Sequence, residues 1–411
     1  MIPDAYPEIR VERSQDSLYF DRFYFRGGIR DDYGFKKLQF VSFVMKGKDT
    51  VRPAAATPIP FQPDATAQPF NFYFDAQTLS LSLGESLHYY FEVWDNDGVN
   101  GSKRSRTGEM TFKLPTEDEI REQSDQVKQE TKEGLSQMMK ENSDLLQRIE
   151  ALKKKMVGQK EAGWQEKKEL ENLLKQWQEL KKETENAIEA QKRQQELENQ
   201  YENISDEILR KQEELQQRMD ELFSDEMKQT LMELQRMMEK DIDKDKLNEA
   251  LEKIKMSTEE LNKQLDQDLS LFKRLEVEQK MENFLEQAEK LAEKQLELAK
   301  EAARNDADNK AIEQKQQQLQ NEFNQLMEDA ESLRELNKKL EQPFKIPDQK
   351  ALENSIRKEM QQAKEQLQKQ NGKQAAPHQQ KAGEQMQQMS QQMGEGFQQS
   401  MSESTQKTSR I

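Results

Sequence analysis

The 411-residue chain has no cysteine, two histidines and no long apolar run. Without cysteine there is no disulfide, no thiol nucleophile and no thiolate-ligated zinc or iron–sulfur centre. His88 and His378 alone give a histidine-rich metal site or a Ser–His–Asp triad almost nothing to draw on. No stretch approaches the ~18 consecutive apolar residues of a membrane span, and Met1-Ile2-Pro3-Asp4 lacks the basic and apolar parts of a signal peptide. On these grounds the chain as given reads as soluble, with no direct membrane span. What remains is polar: 33% of residues are hydrophobic, 35% are charged, and the net charge is -16. An ordinary globular domain is about 45–50% apolar and about 25% charged, so much of this chain must be elongated, multi-helical or disordered. The acidity repels nucleic acid and anionic headgroups, and no nucleic-acid partner is expected.

Composition breaks sharply near Pro115. The first 115 residues hold 12 of the 18 Phe, 7 of the 8 Tyr and 8 of the 11 Pro, whereas residues 116–342 contain no proline. Aromatics with frequent proline point to β-structure, and a long proline-free stretch points to helix. Charge divides the same way: the first 115 residues are nearly neutral, at -1, so -15 lies beyond them.

Within residues 1–115 the expected strands are Glu8–Glu12, Leu18–Phe25, Lys37–Met45, Phe70–Asp75, Leu79–Leu83, Leu87–Trp94 and Thr107–Leu114. Turns are expected at Gly27-Gly28, Asp32-Tyr33-Gly34, Gly47, Gly84 and Asp95–Gly98. Pro53–Pro69 reads as a loop or edge excursion. Seven short strands in about 105 residues fit an immunoglobulin-like β-sandwich. Alternation along Tyr90–Trp94 allows either Trp94 or its neighbours Phe91 and Val93 to face the core.

From Thr116 the period becomes helical. Thr116-Glu117-Asp118-Glu119 is a capping box. Apolar residues then recur at alternating spacings of three and four: Leu145, Ile149, Leu152, Met156; Leu170, Leu173, Trp177, Leu180; Val277, Met281, Phe284, Ala288, Leu291, then Leu298 and Ala302 after an interruption at Gln295. A later run is Leu319, Phe323, Leu326, Ala330, Leu333 and Leu340. One narrow stripe per helix is the signature of a coiled-coil seam. Breaks are expected near 158–163, 203–206, 241–245 and 305–308, with a hairpin at Asp241–Asp245 and a restart at the capping box Ser257–Glu260. The Val277–Leu298 seam is expected to pack on the helix before residue 241. Residues 343–371 should hold one short helix, Gln349–Gln370, and residues 372–411, rich in Gln, Met, Ser and Gly, should be disordered or only transiently helical. The fold class is therefore α+β: an N-terminal sandwich, long antiparallel coiled-coil helices over 116–342, and a tail.

Few motifs carry chemistry. Asp95-Asn96-Asp97-Gly98-Val99-Asn100-Gly101 offers oxygen donors suited to calcium, but it lacks EF-hand spacing, and the cations Lys103, Arg104 and Arg106 follow. A turn in which Asp and Asn bond their own backbone accounts for the same residues, and no metal is expected. Arg26–Phe35 is glycine-rich but leads into a strand rather than a helix, so it reads as a connection with Arg30 paired to a carboxylate rather than an anion cradle. His88, between Leu87 and Tyr89 in a strand, reads as a packed or exposed strand residue. Met227, Met238 and Met281 read as core, while the tail methionines hint at adaptable contacts. No catalytic, cofactor-binding or metal-ligating residue is assigned.

Three stretches carry a resemblance: Pro7–Val11, Asp31–Leu38 and Tyr90–Gly101, joined by Lys246–Leu251 and Leu275–Lys280 in the helices. Together they resemble long bacterial envelope proteins of the domain-of-unknown-function 4175 type. The resemblance implies a periplasmic protein attached to the inner membrane through spans that precede this chain, of which the chain is a central fragment or truncated version. It implies no catalytic residue. The functional expectation is a non-enzymatic structural or protein-interaction protein of the cell envelope, a β-sandwich on a coiled-coil spacer with protein partners or self-association through its helices. The alternative is a holdase-like chaperone gripping clients through the helical seams and Met-rich tail.

Overall fold

The computed structural model describes residues 5–15, 22–82, 84–98, 101–156, 163–201, 204–238, 244–304 and 308–408. It is an α+β protein in which, among the described residues, eight antiparallel strands precede eight α-helices. Two compact units divide the chain, the first spanning residues 1–129 with 190–202, the second 130–189 with 203–411.

In the first unit, β1 (Glu8–Gln15), β2 (Arg22–Arg30) and β5 (Ala67–Asp75) form one sheet in the order β1-β2-β5. The other runs β4 (Asp49–Pro58), β3 (Phe35–Lys46), β6 (Glu85–Asp95), β7 (Arg104–Arg106), with β8 (Met110–Lys113) also on β6. Inward-facing side chains of both sheets meet in one aromatic core. Phe25 lies edge-on to Phe91 with ring centroids 5.0 Å apart, and Phe40 lies 4.9 Å from Phe72. Such pairs add to the area they bury, because the electropositive edge of one ring meets the electronegative face of the other. Leu87, Tyr89, Phe91 and Val93 are fully buried, which turns Trp94 to the opposite face.

Two local expectations are corrected and a third is met. Gly27 and Gly28 are strand residues, not a turn; Gly27 pairs with Val11 on one side and Phe70 on the other, and the Phe70 ring covers it. Residues 79–83 form no strand among the described residues; a 3-10 turn, Ala76–Leu79, capped by the Asp75 side chain, leads towards β6. The Pro/Ala-rich stretch expected as a loop or edge excursion is an edge strand over residues 53–58, the end of β4, where Pro53 and Pro58 cost no interior ladder bond, and a loop from there to β5.

The capping box opens α1 (Glu117–Met156): the Glu119 amide donates to Thr116 Oγ1 at 3.2 Å, and the Thr116 amide to Glu119 Oε2 at 2.8 Å. The last turns of α2 (Trp164–Tyr201) return to the start of α1, where Lys128 and Glu198 form a buried ion pair at 3.0 Å and Gln194 Nε2 donates to the Ile120 carbonyl.

In the second unit, α3 (Asp206–Asp220) and α4 (Asp225–Met238) are followed by α5 (Lys244–Ala302), an uninterrupted helix of 59 residues. At 1.5 Å per residue it is about 88 Å long. Its contacts divide near residue 276. The N-terminal half shares a core with α1, α2, α3 and α4. Cross-links give the directions: Lys132 meets Glu276, Glu150 meets Lys255 and Lys153 meets Glu252, so α1 runs antiparallel to α5. Ser205, Lys211 and Arg218 meet Glu282, Glu278 and Asp268, so α3 does too. The C-terminal half shares a second core with α6 (Asn309–Lys338), α7 (Lys350–Gln368) and α8 (Gly372–Thr408).

The helical expectations divide likewise. Every apolar seam residue named from the sequence is buried except Leu340, which packs at the edge of the second core. Ser205 and Asp308 cap α3 and α6 beside two expected breaks. The expected break at 158–163 falls almost wholly on residues outside the described set, as does the centre of the 241–245 hairpin. A further break, Glu221–Ser224, was not expected; Ser224 Oγ accepts the Met227 amide there, and Phe223 packs edge-on to Trp177. The proposed restart at Ser257–Glu260 is wrong, since Thr258 is buried in mid-helix in α5. The Val277–Leu298 seam packs on α6 and α8 in the second core, whereas α4 belongs to the first.

The largest correction concerns residues 372–411, expected to be disordered or only transiently helical. Gly372–Thr408 is helix α8, and Ala375, Gln379, Ala382, Met386, Met389, Met393 and Phe397 lie buried along it. Its apolar surface is too sparse for a core of its own, but α5, α6 and α7 supply the rest.

Candidate functional site

The loops singled out in the sequence come together at one end of the β-domain. Asp31 Oδ2 accepts the amides of Tyr33 and Gly34 at 3.0 Å each, closing a turn that needs Gly34 at φ +108. A Cβ there would lie 2.3 Å from the Pro63 carbonyl oxygen. Asn96 Nδ2 donates to the Tyr33 carbonyl, joining this loop to the Asp95 loop. Asp95 is buried: Oδ1 accepts the amides of Asp97 and Lys103, and the Lys103 ammonium lies 3.4 Å from Oδ2 and 3.8 Å from Asp97 Oδ2. Backbone donors and a lysine take the lone pairs that a calcium ion would use. Val99 and Asn100 lie outside the described residues. Arg30 ends β2 opposite Glu8.

More chemistry lies on the outer face of the second sheet, where alternation along β6 places Ser86, His88, Tyr90, Glu92 and Trp94. Each has a cross-strand companion on β3: Met45, Phe43, Val41, Gln39 and Lys37. Lys37 Nζ sits 4.7 Å from the Trp94 ring centroid, the Arg104 guanidinium 5.9 Å from it, and Arg106 lies 5.3 Å over Tyr90. Glu92 is buried beneath these cations; it accepts Gln39 Nε2 at 2.8 Å and pairs with Arg104 at 3.3 Å. The face is a ladder of aromatic rings held between cations, with the Glu92 carboxylate buried beneath them.

At the other end of this ladder, Ser86 Oγ lies 3.0 Å from His88 Nε2, and His88 Nδ1 lies 2.8 Å from Glu109 Oε1. The connectivity is that of nucleophile, base and orienting acid, and the sequence reading missed it. Ser86 follows from period-two alternation with His88; Glu109 lies on another segment, and only the β6–β8 pairing brings it in. Position limits what the three can do. Ser86 pairs with Met45 on one side and Lys113 on the other, so its amide belongs to a sheet interior, and its hydroxyl also lies 3.3 Å from the Met45 carbonyl. Acyl transfer needs convergent N–H donors for the oxyanion, and a paired central strand does not offer its own. His88 is further fixed by stacking on Phe43, with centroids 5.2 Å apart.

In the helical unit, Met227 and Met281 are buried in the two cores, and Met386, Met389 and Met393 of α8 are buried in the second; Met238 ends α4. Among the described residues no group of three or more His, Asp or Glu side chains is placed to hold a metal, and no helix is long and apolar enough to cross a membrane. The chain matches no protein-family model, no curated protein and no solved structure.

Proposed function

We propose that this chain is a non-enzymatic structural and protein-interaction protein, in which a β-domain presents the cation–aromatic sheet face and antiparallel helices act as a spacer. The observation that carries the reading is α5: one 59-residue helix belongs to two successive cores, which gives a stiff element with no hinge at the junction. The strand order supports an immunoglobulin-like sandwich, with β1-β2-β5 facing β4-β3-β6-β7. The three- and four-residue spacing of buried positions on antiparallel helices supports coiled-coil packing. Placement in the bacterial periplasm, with attachment to the inner membrane, rests on the resemblance of Asp31–Leu38 and Tyr90–Gly101 to envelope proteins. The chaperone alternative needs the helical seams and the Met-rich tail as client surfaces; the seams and Met386, Met389 and Met393 are buried within the chain, which favours the structural reading.

The test is capture of partners by the intact chain from bacterial envelope extracts, compared with a Trp94→Ala/Arg106→Ala variant of unchanged melting. A partner retained by the wild type and lost by the variant is expected. An identical bound set, or ester turnover that disappears in Ser86→Ala, would overturn the reading.

A further inference from the structure

Helix α8 is held by contacts that carry no record of which chain supplies it. Gly383 and Gly394 bring its backbone against α5: a Cβ on Gly383 would lie 2.7 Å from Leu296 Cγ and 3.2 Å from the Ala292 carbonyl oxygen. Met386, Met389 and Met393 fill the second core. Gln379 Nε2 donates to Gln316 Oε1 at 2.9 Å within a fully buried amide layer that includes Gln295. Groove and helix fit by shape and by hydrogen-bond register together.

What makes the docking intramolecular is the link Lys369–Asn371. It is closed by the Gln370 amide on the Leu367 carbonyl and the Asn371 amide on the Gln366 carbonyl, both at 2.9 Å. This is a Schellman turn, and it places Gln370 at φ +58, the left-handed conformation that glycine usually supplies. A Cβ in that conformation crowds its own carbonyl, so the link holds strain that is released when residues 369–371 become helical. The local sequence permits this at a modest cost: Gln368, Lys369 and Gln370 are good helix formers, Asn371 and Gly372 each cost up to about 1 kcal/mol in a continuous helix, and no proline lies between Pro347 and Pro377.

We propose that α8 exchanges between two copies of this chain: α7 runs on into α8 as one helix, and α8 docks in the α5–α6–α7 groove of the second copy. The groove commits to that occupant because the close approach at Gly383 and the amide at Gln379 suit α8 itself. The contacts of α8 with its groove are remade between copies, while the Asn309 Nδ2 bond to the Gln370 carbonyl is given up with the turn, and a short strained link is the device that tips such an equilibrium. The exchange is independent of what the β-domain binds.

The chain has no cysteine, so introduced thiols are unambiguous. A Leu296→Cys/Gly383→Cys double variant should close within one chain under mild oxidation. Leu296→Cys and Gly383→Cys single variants, mixed at high concentration, should cross-link between chains. Gln370→Gly should weaken dimerisation roughly tenfold, since glycine removes the strain at no steric cost. Replacing Lys369, Gln370 and Asn371 together by alanine should strengthen it. Light scattering on the otherwise unaltered chain reads the same equilibrium without cysteines. Absence of dimer at every concentration, or a dimer indifferent to Gln370→Gly, would overturn the proposal.

Discussion

Arg218 on α3 lays its Nε 2.6 Å from Oδ1 of Asp268 on α5, while the other oxygen of Asp268, also buried, has no hydrogen-bond partner among the described residues. Burial pushes the Asp268 carboxyl above the ordinary 3.8, and the Arg218 bond and charge offset this only in part. A raised value in the folded state means the native protein holds the proton more tightly than the unfolded chain. The group therefore adds stability fully below 3.8, and that contribution is lost as pH rises through the folded value. Asp268→Asn should be at least as stable as the wild type at neutral pH, with its advantage shrinking in mild acid. Urea unfolding at the two pH values checks this; a loss of about 3–5 kcal/mol at neutral pH would show the pair to be net stabilising instead.

Glu359 carries the opposite sign. Burial pushes its carboxyl up, but His378 Nδ1 at 2.7 Å and Lys381 Nζ at 2.6 Å outweigh that and hold it below the ordinary 4.5. A depressed value gives stability that is present above 4.5 and lost as pH falls through the folded value. Glu359→Gln should cost about 1 kcal/mol at neutral pH and nothing in acid. Hydrogen exchange of the α8 amides should quicken in the variant at neutral pH only.

How much of this was legible in the sequence depended on which residues carried the signal. The seams were readable because Leu, Ile, Val and Phe at spacings of three and four have one interpretation. Helix α8 has the same spacing, Ala375, Gln379, Ala382, Met386, Met389, Met393, Phe397, but it is written in residues whose burial depends on a partner surface. The interruption at Gln295 was visible; that it meets Gln316 and Gln379 was not, because a single helix does not reveal its neighbours. Gly27-Gly28 read as a turn because the Phe70 ring that replaces the missing side chain lies 43 residues away in sequence. The Ser86–His88–Glu109 chain stayed hidden for the same reason, since strand pairing brings in its third member.

Gly27 supplies a steric test of the first unit. A Cβ on it would lie 2.4 Å from Phe70 Cζ and 2.8 Å from the Arg10 carbonyl oxygen, so either the ring leaves its place or β1 and β2 separate. Gly27→Ala should destabilise the β-domain by about 1–3 kcal/mol, the usual cost of overpacking. Gly28→Ala is the control, because its Cβ would meet only a carbonyl at 3.9 Å. Equal melting of the two variants would contradict the close approach.

The buried amide layer makes an ordering that a purely apolar core would not. Gln295 and Gln316 exchange two hydrogen bonds, each 3.0 Å, and Gln379 adds a third to Gln316 Oε1, while Gln379 Oε1 has no partner among the described residues. Gln379→Leu removes that orphan acceptor and leaves the reciprocal pair intact, so it should be neutral or stabilising by up to about 1 kcal/mol. Gln295→Leu leaves Gln316 Oε1 satisfied by Gln379 but strands Gln316 Nε2 as a buried donor, at a cost of about 1–3 kcal/mol. Both variants exchange glutamine for leucine at a fully buried site, so the difference between them reads chiefly the hydrogen bonds each loses. Urea midpoints at unchanged slope should therefore rank Gln379→Leu at or above the wild type, with Gln295→Leu below both. The reverse ranking would mean that α8 does not complete the layer, and that the helix is held by its methionines alone.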